Sequence, residues 1–110
     1  MDTRQAITAF DALSQETRLE ALRLLIKAGQ EGIAAGSISD QLGIRQNTMS
    51  MNLKILAQAG LIRSVRDGRT IRYRADFDGI QKIVLYLMKD CCGGRPELCQ
   101  PILDQVACGC

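Results

Sequence analysis

The chain has 110 residues, 46% hydrophobic, 24% charged and only 4% aromatic, with a net charge of +2. That length makes one domain with a modest core, which favours pairing with a second copy, and the scarcity of aromatics argues against a sheet-dominated sandwich. The opening MDTRQAITAF, charged at Asp2 and Arg4, is unlike a signal peptide, and no apolar run reaches the roughly 18 residues of a membrane span, so a cytoplasmic protein with no membrane partner is expected.

Residues 3–13 carry Ala6, Ile7, Phe10 and Leu13 at helical spacing. Ser14 then suits the N-cap of QETRLEALRLLIKAG, in which Leu19, Leu22, Leu25 and Ile26 form a stripe and Gly29 ends the helix. A glycine-spaced connection, QEGIAAG, leads to a short helix in SISDQLG, with Ser37 as cap, Asp40 near the positive N-terminal end and Gly43 as stop. After the link Ile44-Arg45, QNTMSMNLKILAQAG starts a helix. Met49, Leu53, Leu56 and Ala57 fall on one face, and Asn47, Thr48, Ser50, Met51 and Lys54 on the others. Asn52 reads as a surface residue.

Leu61, Ile62 and Val65 lead to Asp67-Gly68, a two-residue hairpin signal, after which Ile71 and Tyr73 alternate with Arg72 and Arg74. This is a two-stranded, arginine-studded wing. The last helix, FDGIQKIVLYLMKD, has a core stripe of Phe77, Ile80, Val84, Leu87 and Met88. Ile83, Leu85 and Tyr86 widen it beyond what one small domain buries, which marks a dimer face. Gly93-Gly94 stops that helix, and Pro96 and Pro101 keep it from resuming. The chain thus divides into a DNA-binding and dimerisation domain, 1–90, and a cysteine-rich tail, 91–110.

The fold class is mainly α with a small β-hairpin: a winged helix-turn-helix, homodimeric. Between Ser37 and Arg74 seven basic residues face two acidic ones, so the middle of the chain suits an anionic partner. The second helix of such a pair enters the major groove of double-stranded DNA. Its small polar residues Gln46, Asn47, Thr48 and Ser50 suit base edges and phosphates, and Lys54 and the wing arginines supply countercharge.

LSQETRLEALRLLIKAG, ISDQLGIRQNTMSMNLKILAQAGLI and RDGRTIRYR together resemble the ArsR/SmtB family of metal-responsive repressors, over residues 8–75 almost without gaps. The resemblance implies a winged-helix homodimer held by its first and last helices, which binds an imperfect operator palindrome and lets go when a metal or metalloid binds. Carried over residue by residue, it implies DNA contacts from Gln46, Asn47, Thr48, Ser50, Met51 and Lys54, and from Arg66, Arg69 or Arg72 in the wing. Many relatives have histidine or arginine where this chain has Met51 and Asn52.

The chain has five cysteines and no histidine. Some family sensors carry Cys-x-Cys in the short helix before the reader; here that region, AAGSISDQLG, has none. Others bind zinc through His and Asp on the last helix, which a chain without histidine cannot do. The tail therefore holds the only sensing thiols. Cys91 and Cys92 converge on one ion if the helix ends there, and RPEL can turn Cys99 back to them. Three soft sulfurs suit a pyramidal trivalent arsenic or antimony centre, whereas zinc prefers four ligands, often as paired Cys-x2-Cys units. A vicinal pair plus a third cysteine also resembles the tail of some arsenic-responsive members of the family, so arsenite is the expected inducer, with no organic cofactor. Cys108 and Cys110 are inert tail or auxiliary ligands. The alternative is a thiol-oxidation sensor on the same DNA-binding module. An enzyme is not expected, because Cys-x-x-Cys and a histidine base are both missing.

Overall fold

The structure, a computed structural model, describes residues 1–89 and 95–108. Helix α1 (Thr3–Leu13) opens with a capping box: Gln5 N donates to Asp2 Oδ1 at 2.8 Å and Asp2 N donates to Gln5 Oε1 at 3.0 Å. Helix α2 spans Glu16–Ala28 and ends on Gly29, whose φ is +70°. A 3-10 turn, Gly29–Glu31, leads to a two-residue strand β1, Ile33–Ala34. Helices α3 (Ala35–Leu42) and α4 (Gln46–Gln58) follow, then β2 (Ile62–Asp67), β3 (Thr70–Ala75) and α5 (Phe77–Met88). A second 3-10 turn, Pro96–Leu98, precedes α6, Gln100–Cys108.

The winged helix-turn-helix architecture is present, with four differences from the sequence expectation. Ser14 closes α1 instead of opening α2: its hydroxyl donates to the Asp11 carbonyl at 2.6 Å, and Gln15 caps α2 by accepting from Arg18 N at 2.9 Å. Helix α3 begins at Ala35, so Ser37 is inside it and Asp40 lies in its second half, where its carbonyl accepts from Gly43 N. The wing belongs to a three-stranded antiparallel sheet of order β1-β3-β2, because Ile33 and Ala34 pair with Tyr73 and Arg72. Asp67 pairs with Thr70, so the hairpin turn is Gly68-Arg69, with the positive φ of +64° on Gly68.

The core is built from Leu22 and Leu25 of α2, Ile38 of α3, Met49, Leu53 and Leu56 of α4, and Leu61 and Ile62 entering β2. Each such side chain, fully buried, contributes about 1.5–3 kcal/mol of hydrophobic transfer. The apolar stripes of the flanking helices are phased differently from expectation. α1 turns Ala6, Ala9 and Ala12 inward and leaves Ile7 62% exposed, with Phe10 exposed beside it. α2 leaves Leu19 and Ile26 exposed. On α5 only Ile83 is buried, with Ile80 packed against the core, while Val84 and Leu87 are 53% and 61% exposed and Phe77 and Leu85 lie outside too. Small residues let α1 lie close to the core; its bulky apolar side chains point away from it.

Candidate nucleic-acid interface and thiol site

The reader helix is fixed by what it buries. Met49, Leu53 and Leu56, at i, i+4 and i+7, lock one face of α4 into the core. That leaves Gln46, Asn47, Thr48, Ser50, Met51 and Lys54 exposed, Met51 at 69%. Asn47 accepts a hydrogen bond from Thr48 N at 2.9 Å. The turn before α4 is made by Gly43, left-handed at φ +67°, and by Ile44 N donating to the Ser39 carbonyl at 3.0 Å. The exposed positions form one outward polar surface at the start of a helix, which suits a groove of DNA.

The wing arginines differ among themselves. Arg66 and Arg69 are exposed and have no hydrogen-bond or ion-pair partner among the described residues. Arg72 is half-buried: Nε donates to the Glu31 carbonyl at 3.2 Å and Nη2 to the Gly32 carbonyl at 3.1 Å. It ties the wing to the chain leading into β1.

One residue of α4 lies on the opposite side from expectation. Asn52 is 9% exposed, inside the buried row beside Met49 and Leu53, and its Oδ1 accepts from Arg18 Nη1 at 3.3 Å. Its place one helical turn after Met49 is the signal that marks it as inward-facing.

Of the five cysteines, Cys99 is the one whose side chain is described. It is 7% exposed and disulfide-bonded, at the foot of α6, where its carbonyl accepts from Ile102 N and Leu103 N. The chain's four other cysteines supply the partner. Cys91, Cys92 and Cys110 lie outside the described residues, and Cys108 is the last residue of α6, its side chain outside them as well. The triad expected of Cys91, Cys92 and Cys99 therefore falls mostly outside the description. Among the described residues no three His, Cys, Asp or Glu side chains gather as a metal site, and no helix is long and apolar enough to cross a membrane.

A helix-turn-helix domain family profile matches residues 13–65. The HTH-type transcriptional regulator YbzH of Bacillus subtilis is 34% identical over 95 residues, which cover 76% of this chain and 95% of YbzH. An ArsR-like transcriptional regulator from Rhodococcus sp. RHA1 superposes with a TM-score of 0.70 at 31% identity, covering 94% of this chain and 93% of that one. The chain belongs to the ArsR-like helix-turn-helix transcriptional regulators. A further neighbour of this regulator is the homodimeric winged helix-turn-helix domain of Mb0332 from Mycobacterium bovis, with a TM-score of 0.64 at 29% identity and 77% of each chain covered. In an ArsR-like regulator α4 is the reader and β2–β3 the wing, which accounts for the outward polar row and the exposed Arg66 and Arg69.

Proposed function

We propose that this regulator is a homodimeric repressor that binds double-stranded operator DNA and leaves it when trivalent arsenic or antimony binds the thiolates of Cys91, Cys92 and Cys99. One observation carries the reading. The cysteine-rich segment begins three residues after α5 ends at Met88, and α5 has an apolar outer face that nothing in one chain covers. A tie formed there acts on the surface where two copies meet, since Val84 and Leu87 of α5 and Ile7 and Phe10 of α1 are the bulky apolar side chains left for a partner. The homodimeric Mb0332 domain supports the pairing.

The two reader helices of a dimer reach successive major grooves when they lie about 34–36 Å apart, so a small change at the seam degrades binding. Gln46, Asn47, Thr48, Ser50, Met51 and Lys54 read or grip one half-site, and Arg66 and Arg69, with any donor Arg72 has left, add phosphate contacts. Ligand and DNA weaken each other by the same factor, about 5–150-fold for a coupling of about 1–3 kcal/mol.

The disulfide at Cys99 favours a second reading, a thiol-redox repressor. Two thiols give up two electrons and two protons to a peroxide, which leaves as water, and the S–S bond replaces the metalloid as the tie. Anisotropy of a labelled operator separates the two. Release by arsenite in the presence of a non-thiol reductant, lost in Cys92→Ser, supports the metalloid repressor. Release by peroxide with no response to arsenite supports the redox one.

A further inference from the structure

Asn52 and Arg18 form a strut that the DNA-reading row does not explain. The Arg18 guanidinium donates through Nε to the Ala12 carbonyl at 2.7 Å and through Nη1 to Asn52 Oδ1 at 3.3 Å. Ala12 lies in the last turn of α1, where carbonyls lack helical partners; Arg18 lies in the first turn of α2; Asn52 lies in the middle of α4. One rigid planar group thus joins three helices. A guanidinium has only donors, so the Asn52 amide must turn its oxygen toward Arg18, and its orientation is fixed.

An apolar side chain would fill this position at no cost in hydrogen bonding, since replacing a buried polar pair by well-packed apolar groups is often neutral or stabilising. Apolar packing, however, tolerates small rotations that a directional hydrogen bond does not. A rotation of α4 by about 20° moves atoms at its outer radius of about 5–6 Å by about 2 Å, enough to break a base-edge hydrogen bond.

We propose that Arg18 and Asn52 are positioning residues for operator reading: they fix the rotation of α4 against α1, the helix that presents Ile7 and Phe10, so that reader and dimer face move as one body. The proposal rests on the dimeric, operator-binding reading above. It separates affinity for a specific sequence, which needs the exact setting of α4, from the phosphate grip, which does not.

The test uses the full-length chain and a duplex that the wild-type protein selects from a randomised pool, with a scrambled duplex as control. Asn52→Leu changes no charge. The expected result is a fall of about tenfold in affinity for the selected duplex, within the range by which coupling residues act. Affinity for the scrambled duplex, the salt slope and the urea midpoint stay near wild type. Asn52→Asp, which keeps the acceptor, restores the selected-duplex affinity. Arg18→Met serves as a second variant should Asn52→Leu not fold, and it too lowers the ratio of selected to scrambled affinity. Unchanged affinity for the selected duplex in folded variants, or equal losses on both duplexes, overturns the proposal. A wild-type chain that selects no duplex overturns the operator-binding reading and the proposal with it, and is distinguishable because it needs no variant.

Discussion

Gly79, in the first turn of α5, lies directly against the carbonyl of Gly60, at the end of the reader helix, so closely that a Cβ at Gly79 would collide with that carbonyl. The contact is set by Asp76, whose backbone N donates to the Leu61 carbonyl at 2.9 Å and whose side chain accepts from Gly79 N at 3.2 Å. The seam helix α5 is thereby seated on the C-terminal end of α4, and any movement of α5 bears on the reader.

Gly79→Ala should therefore destabilise the fold by about 1–3 kcal/mol, the usual cost of forcing an atom into a packed site. Urea unfolding checks this. Gly43→Ala, where a Cβ meets open space but φ is +67°, should cost less, through backbone strain alone.

The wing arginines should separate into two behaviours. Arg69→Ala removes an exposed charge with no partner among the described residues, so it should weaken all duplexes alike and reduce the salt slope by about 1, with no change in melting temperature. Arg72→Met removes the donors to the Glu31 and Gly32 carbonyls, so it should lower the melting temperature. Salt titrations of duplex binding and thermal melts of both variants check the pair.

Much of this was readable in the sequence, and the failures have common causes. The short-helix, reader-helix and hairpin order was legible because Met49, Leu53 and Leu56 repeat at helical spacing and Gly43 and Gly68 sit where φ must be positive. Strand β1 was not legible: two residues carry no period, and Ile33 is a strand only because Tyr73 pairs with it. The stripes on α1 and α5 were misread because a helix between a core and a second copy has two apolar faces. Periodicity finds both without saying which is inside, and on α1 the inner one is made of alanines. Asn52 was missed because a polar residue among polar neighbours looks exposed until Arg18 is seen to reach it. Of the proposed thiol triad, only Cys99 has a described side chain.

Charge placed on the bare face should separate the copies. Val84→Glu with Leu87→Glu puts two carboxylates on α5 where each side chain is more than half exposed in one chain. Sedimentation should show a monomer in place of a dimer, with a melting temperature no longer dependent on protein concentration. Affinity for the selected duplex should fall because half-sites are no longer read together.

The pH dependence of inducer binding distinguishes arsenous acid from a metal cation. Three thiols that bind arsenous acid lose three protons, which leave with its three hydroxyls as water, so no net proton is released. Affinity should stay nearly flat between about pH 6 and pH 8, below the ordinary thiol range near 8.5. Zinc binding to the same thiols would release protons and strengthen as pH rises through that window. Calorimetry in buffers of different ionisation enthalpy reads the proton count.

The central claim concerns the sulfur donors of the tail. Arsenic X-ray absorption of the reduced, arsenite-loaded chain measures it most directly. Three sulfur neighbours around arsenic, falling to two in Cys99→Ser, is the predicted result. Two or fewer in the wild type, or an unchanged count in the variant, would contradict the three-thiolate site.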